Sequence, residues 1–194
     1  MVVLATKCYV EGDARDRALD GMYSLVDNDV GELAVEWTVG VRDDGFVQVD
    51  VTGEDATVAR NVLAETWGEV VAHDEGLVPG ETYVGTLESW DAEGFVLDAG
   101  EEVHVPAEEL GLGVGSPEQV VERFGLVQHL PMEFVYGGAL GDTDAEPHRL
   151  ADAERDRLYD WQRGPGRLNV NSATRGEVRA TVNRAGHARD IVTV

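Results

Sequence analysis

Apolar residues along the chain switch between two periods. A β-rich run over residues 2–10 opens it. Leu19, Met22, Tyr23 and Val26 then recur at i, i+3, i+4 and i+7, which predicts an amphipathic helix over 14–27 with Asp13 as its cap. Leu33, Val35, Trp37, Val39 and Val41 alternate with other residues, and so do Val47, Val49 and Val51 after the turn Asp43-Asp44-Gly45. This is the period of two half-buried strands joined as a hairpin. Thr52-Gly53-Glu54-Asp55 fits a capping box, and Ala59, Val62, Leu63, Thr66 and Val70 form the inner stripe of a second helix. With a last strand over 70–73, the order is β-α-β-β-α-β. That predicts a ferredoxin-like, split βαβ unit over residues 1–74. Gln48 and Asp50, at exposed positions of its third strand, are poor stacking platforms for bases.

An acidic stretch over 74–80, punctuated by Pro79 and Gly80, reads as a linker. Tyr83, Gly85 and Leu87 then alternate as a strand. Residues 91–94 make a turn, 95–97 a second strand, and Val103 and Val105 a third that Pro106 stops. Ser116 and Pro117 open a short helix with Val120, Val121 and Phe124 inside and Gly125 at its end. A fourth strand follows over 132–136. A meander of this kind has two open edges, and closing into a barrel removes them, so residues 80–137 are expected to form a small β-barrel. The segment 137–146 is small and acidic and reads as a loop or boundary. Beyond it, residues 148–194 predict an α/β segment. It has a helix over 152–162 and a strand over 167–170, then a helix from the capping box Thr174/Glu177 to Ala185 with Gly186 at its end, and a final strand over 190–194. The fold class is therefore α+β.

Charge adds a second asymmetry. The chain has 194 residues with 38 Asp and Glu against 15 Lys and Arg, a net charge of −23. Lys7 is the single lysine among the cations. Such composition has the look of a haloarchaeal cytoplasmic protein, whose surface carboxylates serve solubility in molar salt, where the Debye length is about 3 Å. Net charge then says little about partners. One cysteine, Cys8, excludes an internal disulfide and a cysteine-based zinc site, and it reads as a buried, inert residue. No signal sequence and no run of about 20 apolar residues is present, so a membrane is not expected.

Catalytic signatures are missing. The sequence has no Walker loop, no dinucleotide fingerprint, no nucleophile elbow and no metal-spaced His/Cys set. His104 and His129 are two histidines without a third ligand at defined spacing. A non-enzymatic protein without cofactor or metal is expected.

The cations concentrate at the end. Nine of the fifteen lie between residues 149 and 194, and from Trp161 onward six arginines face two acids. Arg175 and Arg179 share a face of the predicted helix with Asn183, while Arg184 points the other way. Arginine offers a planar donor fork and asparagine a donor–acceptor pair, which suits phosphate and base contacts. Arg167, Asn171, Arg175, Arg179 and Asn183 are therefore candidate nucleic-acid contacts. The competing reading pairs these arginines with the chain's own carboxylates on a solvated face.

The stretch GETYVG…GFVLDAGEEVHVPAEEL resembles the OB-type RNA-binding barrel named after the first small-subunit ribosomal protein. That resemblance implies base stacking by Phe95 and His104, with Tyr83 beside them. GLVQHLP and RLNVNSATRGEVRATVNRAGHARDIVTV resemble an uncharacterised archaeal domain-of-unknown-function family, common in haloarchaea, over nearly the whole chain. That family brings no activity with it, and its chains generally continue beyond this point, so the present one reads as shortened. The resulting expectation is a non-catalytic RNA or single-stranded nucleic-acid-binding protein. The alternative is a regulatory or scaffold protein that dimerises, binds a protein partner or senses a small molecule through the ferredoxin-like unit, near Trp37 and Trp67.

Overall fold

The computed structural model describes residues 1–71, 76–139, 145–187 and 189–194. Those assigned above to the end of the first unit's last strand, to part of the linker and to part of the 137–146 loop fall outside the described residues. The fold is α+β with antiparallel sheets, and it divides into two compact units: Met1–Val70 with Leu168–Val194, and Val71–Arg167. No helix among the described residues is long and apolar enough to cross a membrane.

In the first unit, β1 (Val2–Lys7), β2 (Val35–Val41) and β3 (Phe46–Gly53) form one sheet in the order β1-β3-β2. Both pairings are antiparallel, with Val2 opposite Val49 and Trp37 opposite Val51. On the other side of β1 a single antiparallel bridge joins Leu4 to Glu69. Helices α1 (Asp13–Val30) and α2 (Ala56–Trp67) supply the rest of the core. The α1 stripe lies one position round from the expected one. Ala18, Met22, Leu25, Val26 and Val30 are buried, while Tyr23 is half exposed and rests on Trp37, ring centroids 5.7 Å apart. A tyrosine with one apolar face can cover a sheet edge without entering the core. The capping box expected before α2 does not form. Asp55 is the N-cap without a side-chain cap bond, and its carboxylate instead accepts the Ala34 N–H at 2.9 Å.

The second unit holds β4 (Thr82–Trp90), β5 (Gly94–Asp98), β6 (Glu102–Pro106), β7 (Pro131–Val135) and β8 (Arg149–Leu150). They make one antiparallel sheet, ordered β6-β5-β4-β7-β8. A bulge between Leu87 and Ser89 bends β4, and the edge strands β6 and β8 meet, so the sheet curls into a half-barrel. Leu87, Phe95, Leu97, Val105, Met132 and Phe134 fill its inside, each fully buried. At the β4–β5 turn, a Cβ on Gly94 (φ 153°) would run into the Val105 carbonyl oxygen, so the strands can approach there only without a side chain. Helix α3 (Pro117–Phe124) begins with the Ser116/Gln119 capping box and Pro117 in its first turn, and ends at Gly125 in the left-handed conformation. It packs by Phe124 edge-on to Tyr159 of α4 (Asp152–Arg163), centroids 5.1 Å apart.

The C-terminal part of the first unit contains α5 (Arg175–Arg184) and β10 (Asp190–Thr193), which pairs with β9 (Arg167–Val170). Thr174 is the α5 N-cap, but its hydroxyl bonds to Asn171 rather than closing the expected capping box. The chain end is held from two sides: Val194 N–H donates to Val170 and the Tyr9 hydroxyl donates to the Val194 carbonyl, at 2.8 and 2.9 Å. Helix α5 packs against α1 and buries no residue fully.

Candidate nucleic-acid interface

The three barrel residues implied as base contacts do not share a surface. Phe95 has 0% exposure and cannot offer a ring face to a base. It lies opposite Val105, whereas His104 lies opposite Val96, so period-2 alternation puts Phe95 and His104 on opposite faces of the sheet. His104 is exposed, outside the half-barrel. Tyr83 is half-buried opposite Phe134, centroids 6.2 Å apart, and its hydroxyl accepts the Val78 N–H at 2.9 Å. The stacking role of Phe95 is thus corrected to a core role. A Gly-Phe-Val run satisfies the inner face of a curled sheet as readily as it does a base platform.

Arg167 also has another task. Its guanidinium donates to the carbonyls of Phe124 and Gly125, at 3.1 and 2.5 Å, and sits 4.7 Å from the Trp161 ring centroid. A cation here closes the orphan carbonyls at the end of α3. Burial, with Arg157 nearby, lowers its pKa. Asn171 is half-buried, and its side-chain and backbone oxygens accept from the Thr174 hydroxyl at 3.3 and 3.1 Å, so it shapes the entry to α5.

The remaining three candidates do come together. Arg175, Arg179 and Asn183 occupy successive turns of α5 and line one cleft of about 340 Å³ within the first unit. Trp67 at the end of α2, Asp29 near the end of α1, and Arg189 line it too. Arg175 is the fixed member. Its guanidinium lies 4.3 Å from the Trp67 ring centroid and donates to Thr193 Oγ1 at 2.6 Å. Trp67 is fixed in turn, because its indole N–H donates to Asp29 Oδ2 at 2.9 Å. Burial, and then Arg179, brings the Arg175 pKa down to about 10, against the opposing pull of Asp29. Arg179 is exposed and makes no ion pair among the described residues. A stacked, hydrogen-bonded guanidinium beside a free one presents fixed and adaptable donors to an anion.

Other arginines are used differently. Arg42, Arg60, Arg149, Arg155 and Arg157 pair with carboxylates, and Arg123 donates to the carbonyls of Leu112 and Val114. Of the C-terminal arginines, Arg149, Arg155 and Arg157 thus fit the competing sequence reading, and Arg175 and Arg179 make no carboxylate ion pair among the described residues. Sequence reasoning had the α5 face. It did not find Asp29, Thr193 or Arg189, because no spacing along the chain links the ends of α1 and α2 to residues more than a hundred positions later.

Two further titratable groups lie in the second unit. Glu154 is 0% exposed. Its Oε2 accepts the Glu133 N–H at 2.9 Å and an Arg157 N–H at 2.5 Å, and burial raises its pKa despite Arg157. Arg157 also donates to the Pro131 carbonyl at 2.9 Å, so the pair ties α4 to β7. His148 stacks on Tyr136 at 4.8 Å, its Nδ1 accepts the Gly137 N–H at 3.0 Å, and burial lowers its pKa.

Three family models cover almost the entire chain. The DUF2110 N-terminal domain matches residues 1–73, the DUF2110 central domain 77–162 and the DUF2110 C-terminal domain 165–194. The chain belongs to the DUF2110 family. No curated protein matches it.

Proposed function

We propose that this member of the DUF2110 family is a non-catalytic RNA or single-stranded nucleic-acid-binding protein that engages its ligand through the α5 cleft. The observation that carries the reading is the convergence of Arg175, Arg179, Asn183 and Arg189 on one concave surface of a chain whose net charge is −23. Arg175 and Arg179 make no carboxylate ion pair among the described residues, and on so acidic a chain that favours a local anionic partner over general attraction. Arginine also keeps its value when salt screens simple Coulomb forces, since its fork hydrogen-bonds phosphate and its plane stacks on bases. The acid-rich, lysine-poor composition supports a halophilic, cytoplasmic, archaeal setting for this activity. For the folds, the order β1-β3-β2 with the antiparallel bridge at Glu69 supports a ferredoxin-like first unit, and the curled five-stranded sheet supports an OB-like second one.

The test is binding of labelled single-stranded RNA at several KCl concentrations near molar. Wild type binds, and Arg179→Ala with Asn183→Ala weakens binding and lowers the salt slope by about 0.7 for the lost phosphate contact. Arg184→Ala, on another face of α5, leaves both unchanged. A folded wild-type protein that binds no strand refutes the reading. A second reading, sensing of a small molecule, is favoured by one feature: a volume of about 340 Å³ lies within the range of small-ligand sites.

A further inference from the structure

Resting on the cleft reading above, we infer that the ligand is held there by a phosphomonoester, a terminal phosphate on a nucleotide, seated between Arg175 and Arg179. Arg175 and Arg179 are four residues apart on α5, where side chains face each other on successive turns. Two cations in that position repel, and neither is neutralised by a carboxylate ion pair among the described residues. Elsewhere on this chain, arginines close to acids take them as partners. The Arg175–Arg179 pair makes no carboxylate ion pair among the described residues, although Asp29 lines the same cavity.

Geometry narrows the anion. Arg175 cannot swing away, because Trp67 covers one side of it and Thr193 Oγ1 takes one of its N–H groups. Arg179 is exposed and can close from the opposite turn. A doubly charged group with three acceptor oxygens satisfies two donor forks at once. A carboxylate offers two oxygens and one charge, and an internal phosphodiester also carries one charge.

The rest of the lining selects the body attached to that phosphate. Asp29 and Asp190 add carboxylates, so the cleft is not uniformly cationic. Asp29 already accepts the Trp67 N–H through Oδ2. The Asp29 carboxylate in the lining disfavours a second phosphate and can accept from hydroxyl or amino donors. Asn183, one turn beyond Arg179, offers both a donor and an acceptor. The volume, about 340 Å³, is at the small end of ligand sites and suits one nucleotide unit rather than a run of bases.

The experiment is titration calorimetry in about molar KCl with four probes: a nucleoside 5′-monophosphate, the matching nucleoside, and one single-stranded oligonucleotide carrying either a 5′-phosphate or a 5′-hydroxyl. The monophosphate is expected to bind and the nucleoside to fail. Arg179→Ala and Arg175→Lys each weaken the monophosphate by at least about tenfold, the size of losing a charge-assisted bond. Arg184→Ala binds as wild type. Arg179 is exposed, so its variant decides the matter if Arg175→Lys proves unfolded by circular dichroism. Tighter binding of the 5′-phosphorylated oligonucleotide than of its hydroxyl form assigns the phosphate to a strand terminus. Binding of the monophosphate with neither oligonucleotide assigns it to a free nucleotide, and then the strand-binding function falls while this inference stands. Equal binding of both oligonucleotides without the monophosphate overturns the inference and leaves strand binding intact. Failure of all four probes, or monophosphate binding indifferent to Arg179→Ala, overturns it as well.

Discussion

Replacing Phe95 by alanine separates a core residue from a base platform by free energy alone. The ring has 0% exposure and lies opposite Val105 on β6 and Trp90 on β4, in the middle of a sheet that curls around it. Truncating a buried Phe costs about 3–5 kcal/mol, because apolar transfer is lost and the cavity collapses only in part. With a urea m-value of about 2 kcal/mol/M, a loss of about 4 kcal/mol moves the midpoint down by about 2 M. A surface ring would change stability by no more than about 0.5 kcal/mol, or roughly 0.25 M. The assay is equilibrium urea unfolding in about molar KCl, with amide exchange at Leu97 and Val105 assigning the transition to the second unit. Phe95→Leu, which keeps most of the volume, should cost less than about 1.5 kcal/mol. A midpoint shift below about 0.5 M for Phe95→Ala, at unchanged m, refutes the core assignment.

Arg167→Ala should destabilise by about 1.5–3 kcal/mol through its two carbonyl bonds at the end of α3, yet leave strand and nucleotide binding unchanged; a binding defect at wild-type stability contradicts the capping role. For His148 the sign follows from its lowered pKa. The folded state holds the proton less tightly than the unfolded one, so the stability from neutral His148 is present above about pH 6.5 and is lost as pH falls through the depressed value. Melting temperature measured from pH 7.5 to 5 should fall more steeply for wild type than for His148→Gln, because protonation removes the Nδ1 acceptor of the Gly137 N–H, and parallel curves would contradict the lowered pKa.

Much of the order of elements was legible in the chain. The Ser116 cap with Pro117 behind it, Gly125 after α3, and the Asp43-Asp44-Gly45 hairpin are local chemistry, settled within a few residues, and they stand as read. Helix faces were harder. The α1 stripe read from Leu19 runs instead through Ala18, Met22, Leu25, Val26 and Val30. Thr52 and Thr174 carried capping-box spacing, but Asp55 bonds to Ala34 and the Thr174 hydroxyl to Asn171. In each case a nearby partner outside the motif took the group.

The sequence by itself determined that α5 carries Arg175, Arg179 and Asn183 on one face, since helical spacing is a property of the backbone. It also set the acidity that makes those cations conspicuous. Only the tertiary structure decided that Trp67, Asp29 and Thr193 meet that face and hold Arg175 in place, and that Phe95 and His104 part to opposite sides of a strand pair. The physical reason is range. Periodicity and capping act over one or two turns, whereas a cleft is made by contacts between segments more than a hundred residues apart, which no local pattern encodes.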